Sequence, residues 1–339
     1  MASKRDQLAQ ALYATGITRL ARGWPKRPSL IVLNYHRIGD HTATLYDSGV
    51  FSATPEEFDW QLEFLASRYH VATLHEAVDF ARGNVALSRT SVLLTFDDGY
   101  LDNYEFAFPI LRRRGLSATF FLATSFVGSS QPPWWDEIAY LTKTCKAEQV
   151  RLSYPEAMEI PLQDRNSAVK QILDVFKSPR VQDPERFLAE LREACRTGGG
   201  EMPLPSERLF LNWQEAEEML AGGMFIGSHT HSHRLLGKLT EQEQRDEVSI
   251  SKDSIEGKLK IRCNSLAYPV GKQTTFSTVT QKALKDSGYD VAFSFYGGIN
   301  GVEKWNPFDI KRVAVEASTT KARFALQMNL AAATANYWF

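Results

Sequence analysis

The chain has 339 residues, 43% of them hydrophobic, and 39 Lys and Arg balance 40 Asp and Glu to a formal net charge of −1. This composition supplies a sizeable soluble core, and interspersed charges of both signs exclude a nucleic-acid binder or an acidic tail. Three widely spaced cysteines, Cys145, Cys195 and Cys263, form no C-x-x-C pair, which speaks against a disulfide framework or a cysteine-rich zinc site.

The first 28 residues, "MASKRDQLAQALYATGITRLARGWPKRP", begin basic but carry no sustained apolar core, so they do not read as a signal peptide. No apolar stretch is long enough to span a bilayer, and the chain is expected to be cytoplasmic. Leu8, Leu12, Tyr13, Ile17 and Leu20 roughly follow helical spacing beside Lys4, Arg5, Arg19 and Arg22. Such an N-terminal helix either packs on its own domain or lies on the inner, anionic membrane surface as a peripheral contact.

Beyond it, short apolar runs alternate with helical patterns. The strand "SLIVLNYH" (29–36) precedes the helix "TPEEFDWQLEFLAS" (54–67), which opens with a Thr cap, a Pro and two acids. The strands "SVLLTFDDG" (91–99) and "SATFFLA" (117–123) follow. From about 129 to 210 the alternation breaks into a loop, a hairpin "VRLSYPEAMEIPL" and polar helices ending at "TGGG" (197–200); this region reads as an insertion. The pattern then resumes with helix "NWQEAEEMLAGG" (212–223), strand "MFIGSH" (224–229) and helix "TEQEQRDEVSISKDSIEGKL" (240–259). Strand "SLAYP" (265–269), helix "STVTQKALKDSG" (277–288) and strands "DVAFSF" (290–295) and "IKRVAVE" (310–316) complete it. Strands alternating with helices predict an α/β domain over 29–339, built on a mostly parallel sheet or barrel with a helical and hairpin insertion.

Four of these runs end in chemically useful residues: His36, Asp97 with Asp98, His229, and Tyr268 with Pro269. In α/β barrels the loops after the strands all open on one face, where the chemistry sits. His229 and His233 lie four apart and share a face, whereas His231 falls between them and points elsewhere. No Glu follows His229, so the H-E-x-x-H arrangement is absent and a third ligand and a base must come from another place. The adjacent aspartates can supply both, one binding a metal and the other taking a proton; a solvated Asp-Asp-Gly turn is the plainer alternative. In "PPWWDE" (132–137), Trp134 and Trp135 offer flat faces to sugars and Asp136 a hydroxyl partner, or the tryptophans simply anchor the insertion to the barrel.

At these residues the chain resembles the polysaccharide deacetylases, the NodB-homology or carbohydrate esterase family 4. "TFDDGY" (95–100) resembles the first motif of that family, "HTHSH" (229–233) fits its H-[ST]-x-x-H motif, and "AYPVG" (267–271) resembles the third. The resemblance covers 29–123 and 210–316. It implies a distorted (β/α)7 barrel, a divalent metal on Asp98, His229 and His233, and Asp97 as general base. Zn²⁺ comes first, with Co²⁺, Ni²⁺ and Mn²⁺ as neighbours in ligand preference. The implied reaction removes N-acetyl groups from an N-acetylated glycan, polysaccharide or lipid-linked, and releases acetate. A metal-dependent O-acetyl esterase and a catalytically impaired glycan-binding homologue are the alternatives.

The sequence also departs from the family pattern. Ala267 stands where many members carry an Arg that steers the base, and Arg312 is the candidate to replace it. Val270 occupies the place of a Tyr whose backbone N–H helps stabilise the oxyanion, so Tyr268, Pro269 and Val270 form the expected oxyanion and substrate turn. No Leu-x-x-His motif follows His233. "NYHRI" (34–38) resembles the Y-H motif of the exopolysaccharide deacetylase branch, which makes His36 the expected catalytic acid.

Overall fold

The computed structural model describes residues 28–196, 208–301 and 305–334. The helix expected within 1–28 and the "TGGG" stretch lie outside the described residues. Each of the seven apolar runs forms a strand, and one further strand joins them: β1 (Leu30–Tyr35), β2 (His70–Ala72), β3 (Ser91–Phe96), β4 (Thr119–Leu122), β5 (Phe225–Ser228), β6 (Ser265–Ala267), β7 (Val291–Phe293) and β8 (Arg312–Ala314).

Among the described residues these eight make one sheet: seven in the order β7-β6-β5-β4-β3-β1-β8, with β2 off this path against β3, and every pairing is parallel. β3 changes partner along its length: Ser91–Leu93 pair with β2, and Thr95 and Phe96 pair with β4. The two ends of the sheet meet through Ile310, whose N–H donates to Ala292 O at 2.9 Å and whose carbonyl accepts from the Ser294 N–H at 2.9 Å. The sheet is thereby drawn into a nearly closed (β/α)7 barrel. The helices between strands start where their caps dictate. Thr54 with Glu57, Asn212 with Glu215 and Thr240 with Glu243 form reciprocal capping boxes, which satisfy N-terminal donors that would otherwise be orphaned.

Alternation along the strands sorts side chains into two apolar layers. Ile31, Leu33, Tyr35, Val92, Leu94, Phe96, Phe120, Leu122 and Leu266 pack outward under the helices. Leu30, Val32, Leu93, Phe121, Ala267, Val291 and Phe293 pack together inside the barrel. The inner layer turns polar toward the C-terminal ends of β1 and β3, where Asn34 and Thr95 are buried, and Arg312 is buried at the start of β8.

The chain divides into two compact units, and the barrel belongs to the larger; Asp40–Phe51 and Ser129–Leu209 form the smaller. The smaller unit holds helices Trp134–Thr144, Arg165–Lys177 and Pro184–Cys195 and the antiparallel hairpin Gln149–Leu152/Met158–Pro161. Ile138, Val150, Ile160, Ile172, Phe187 and Leu191 are buried in its core. It also takes in an earlier segment that the sequence pattern does not mark: Lys143 Nζ donates to the carbonyls of Thr44 (3.0 Å) and Tyr46 (2.6 Å). Among the described residues no helix is long and apolar enough to cross a membrane.

Candidate active site

The polar end of the barrel interior is built by register. Asn34 pairs with Thr95, while Arg312 on β8 pairs with Val32, one inward position earlier on β1, and its long side chain reaches up to Asn34 and Thr95. Two residues on from Thr95, the same alternation brings Asp97 to this layer. Arg312 Nη1 donates to Asp97 Oδ1 at 2.7 Å and Nη2 to Asp97 Oδ2 at 2.8 Å. Arg312 also donates to Asn34 Oδ1 (2.7 Å) and Ser294 O (3.1 Å), while Asn34 Nδ2 donates to Asp97 Oδ2 at 3.2 Å. A buried ion pair persists only where its remaining hydrogen-bonding capacity is met, and this one is met. Burial pushes the Asp97 carboxyl up, but the Arg312 guanidinium, with His229 beyond it, holds it well below the usual carboxylate range.

Asp98 sits at φ 74°, a left-handed conformation that turns the chain immediately after Asp97. Its Oδ1 lies 3.4 Å from His229 Nε2 and 3.4 Å from His233 Nε2. His229 follows β5, where Gly227 leaves room for the Phe121 ring; a Cβ there would sit 2.6 Å from that ring. His229 Nδ1 donates to Ala267 O at 2.8 Å, which leaves Nε2 to face the aspartates. The His229 and His233 rings stand edge to face, centroids 4.7 Å apart. Thr230 Oγ1 accepts from the His233 N–H and so shapes the turn between them.

Asp98 Oδ1 is buried and meets no hydrogen-bond donor among the described residues. The ligand atoms of Asp98, His229 and His233 all lie within 4.8 Å of one another. A buried carboxylate oxygen converging with two imidazoles is costly unless a positive charge sits among them. A carboxylate and two imidazoles form the donor set of an open, catalytic type of divalent site, so the residues fit a metal ion. The imidazoles opposite Asp98 outweigh its burial and lower its pKa. Burial lowers the His229 pKa, but the two aspartates more than reverse this and raise it. His233 is pushed down to about 3 by burial and then by His229.

His36 directly follows β1, with its Nε2 4.0 Å from Asp97 Oδ2. Its side chain is 21% exposed, against 3% for Asp97 and 2% for His229, so it is the group most open to an incoming molecule. Burial outweighs the nearby aspartates and lowers its pKa. Val270 sits at φ 61° in a three-residue turn closed by the Gly271 N–H on Pro269 O at 2.7 Å. Asp98, Thr230, His233 and Val270 are four of the five non-glycine residues with positive φ among those described, and backbone strain of this kind gathers at functional sites.

Other expectations shift. Tyr268 was expected in the oxyanion and substrate turn, but its side chain belongs to the core. It shares the outward parity of Leu266, stacks on Phe276 at 4.1 Å between centroids, and donates its hydroxyl to Phe308 O at 2.9 Å. Trp134 stacks on Phe176 at 4.6 Å, Trp135 is buried, and Asp136, fully buried, accepts from the Asp47 N–H at 3.0 Å. Both tryptophans pack within the smaller unit itself. His231 turns to Thr124 Oγ1 at 2.9 Å.

Glu247 is a residue the sequence reading missed. From the helix Glu241–Leu259 its buried carboxylate accepts the N–H groups of His231 (3.0 Å) and Ser232 (2.8 Å) and the Ser232 hydroxyl. It pins the turn between the two facing histidines.

The family model for polysaccharide deacetylases matches residues 84–292. The poly-beta-1,6-N-acetyl-D-glucosamine N-deacetylase of Escherichia coli (strain K12) is 34% identical over 307 residues, covering 90% of this chain and 39% of that protein. This chain spans between 39% and 64% of the length of the curated relatives it matches. Two solved structures share the fold. IcaB from Ammonifex degensii has a TM-score of 0.59 at 20% identity, covering 91% of this chain and 99% of that one. The Streptococcus pyogenes deacetylase PplD in complex with acetate has a TM-score of 0.58 at 18% identity, covering 89% and 99%. The matched span takes in Asp97, Asp98, His229, His233 and well over half of the sequence, and on that ground the chain belongs to the polysaccharide deacetylase family.

Proposed function

We propose that this chain is a metal-dependent hydrolase that removes N-acetyl groups from an N-acetylated amino-sugar glycan and releases acetate. The observation that carries the reading is the division of labour between two adjacent carboxylates. Asp97 is held in two hydrogen bonds by Arg312, while Asp98 faces His229 and His233. One is thereby kept ionised and aimed, and the other is left to bind a cation. The E. coli relative, a poly-beta-1,6-N-acetyl-D-glucosamine N-deacetylase, supports an exopolysaccharide of that chemical class as substrate.

An acetamide is a poor electrophile with a poor leaving group, so water, carbonyl and amine all need activation. A divalent ion on Asp98, His229 and His233, Zn²⁺ first among the candidates, would polarise the acetyl oxygen and acidify water. Asp97, oriented by Arg312 and Asn34, takes the proton of the attacking water as the new C–O bond forms. The Val270 N–H, on its strained turn, donates to the developing oxyanion, a contact typically worth about 3 kcal/mol. His36 in its protonated form gives its proton to the nitrogen as the C–N bond breaks, because an amine cannot leave as an anion. Acetate and the free amino sugar result. Arg312 beside Asp97 supplies in space the cation missing at Ala267, which supports turnover over an impaired, binding-only role.

The test is an acetate-release screen across N-acetylated glycans, with metal analysis of the same protein sample. Release that tracks bound metal supports the reading. Metal-loaded protein that frees acetate from none of them contradicts it.

A further inference from the structure

His36 stands on a short segment whose backbone is held by side chains. Its N–H donates to Ser52 Oγ at 3.0 Å, and its carbonyl accepts from Asn103 Nδ2 at 2.7 Å. On the next two residues, Arg37 Nε donates to Asp102 Oδ2 at 2.7 Å and the Ile38 N–H donates to Asp102 Oδ1 at 3.0 Å. Asn103 Nδ2 also donates to Asp102 Oδ1 at 3.1 Å, tying the two supports together. Ser52, Asp102 and Asn103 are all buried. The His36 ring, by contrast, is gripped loosely: Asp97 is 4.0 Å away and the Phe295 ring centroid 5.9 Å. The place of the imidazole is therefore inherited from its backbone.

Asn103 itself is an expensive choice for a purely structural role. It is fully buried at the start of a π-helical turn, Asn103–Ala107, a distortion that recurs at functional sites. Its Oδ1 meets no donor among the described residues, a desolvation cost that a leucine of similar size would not carry. What the amide contributes is the donor Nδ2, and that donor goes to His36 and Asp102.

We propose that Asn103 and Asp102 are positioning residues for the reaction: through the His36 backbone they set where the acid stands relative to the departing amine. This rests on the reading of His36 as the acid. A proton donor must come within hydrogen-bonding reach of the leaving nitrogen, and a misplacement of about 1 Å costs up to roughly 100-fold in rate.

The test compares Asn103→Leu, Asp102→Asn and His36→Ala on an N-acetylglucosamine oligomer and on 4-nitrophenyl acetate. Nitrophenolate departs without a proton, whereas the sugar amine requires one. For Asn103→Leu we expect kcat on the amide to fall about tenfold at a nearly unchanged KM, with the aryl ester within about twofold of wild type. The variant also takes a donor from the His36 carbonyl, so its melting temperature should fall modestly, and it is the selectivity between the two substrates that reads the positioning role. Asp102→Asn keeps the shape and an acceptor for Ile38, and should show the same selectivity with a smaller loss. His36→Ala should lose about 100-fold or more on the amide alone. Selectivity in His36→Ala but in neither support variant overturns the positioning role. Equal losses on both substrates in His36→Ala overturn the acid assignment itself, and the positioning role with it.

Discussion

Arg312 grips Asp97 through two parallel hydrogen bonds of 2.7 and 2.8 Å, though 215 residues separate them in the chain. The pair forms because β8 lies beside β1 in register and β1 beside β3. The guanidinium arrives from the strand that closes the barrel rather than from the end of β6, where Ala267 is found. In the proposed reaction this clamp keeps the base ionised and fixed in direction.

Removing the clamp should be costly in two separable ways. Arg312→Leu leaves a buried carboxylate without its cation, and denaturant unfolding should show a loss of about 3–5 kcal/mol. In the proposed reaction activity requires ionised Asp97, whose pKa the guanidinium lowers against the opposing effect of burial. Without Arg312 burial dominates and the pKa rises, so the acid limb of the kcat/KM profile should move to higher pH. Arg312→Lys keeps the charge but loses the two-pronged geometry, and its limb should move less. An unmoved limb in Arg312→Leu would show that Asp97 is not the group whose ionisation matters.

The turn that carries the facing histidines depends on Glu247. Glu247→Gln keeps the volume but weakens its hold on the His231 and Ser232 N–H groups, and metal affinity measured by titration should fall about 10- to 100-fold. His231→Ala should leave metal content intact, because its ring is turned to Thr124. Stoichiometric metal loss in His231→Ala, read by elemental analysis, would contradict the assigned ligand set.

Tyr268→Phe separates core from catalysis. The variant removes one buried hydrogen bond to Phe308 O and keeps the stacked ring, so stability should drop by about 1 kcal/mol. Turnover should stay near wild type. A large fall in kcat with unchanged stability would return the Tyr268 hydroxyl to the chemistry.

For the smaller unit, Trp135→Ala should cost about 3–5 kcal/mol, since a buried indole is replaced by a cavity. Titration of the folded variant with oligosaccharide, followed by the remaining tryptophan fluorescence, should give the wild-type affinity. A weakened affinity with unaltered stability would mark the tryptophan as a sugar contact.

Much of this was legible in the chain because buried strands announce themselves as apolar runs. All seven runs form strands, and their final polar residues mark the face where His36, Asp97, Asp98 and His229 gather. β2 escaped because His70–Ala72 is three residues long and only half buried at two of them, leaving no run to detect. Arg312 could be suspected, since a cation inside "IKRVAVE" needs a buried partner, but only the register identifies that partner as Asp97. Glu247 and Asn103 were illegible for a different reason. Glu247 lies in a polar helical stretch that reads as a solvated face, and Asn103 lies between two apolar strand runs in a stretch that carries no marked pattern; only the packing shows one holding the His231–Ser232 backbone and the other the His36 carbonyl. Tyr268 closes an apolar run just as the site residues do, but parity sends its side chain the other way: Ala267 faces the barrel interior and Tyr268 does not.

The central claim is that Asp97 and Asp98, though adjacent, do different work. Wild type, Asp97→Asn and Asp98→Asn should be compared for bound metal and for acetate released from an N-acetylglucosamine oligomer, on the same samples. The account predicts that Asp98→Asn loses both, whereas Asp97→Asn keeps its metal and loses turnover. Acetate release by Asp97→Asn at the wild-type rate, or full metal retention by Asp98→Asn, would contradict it.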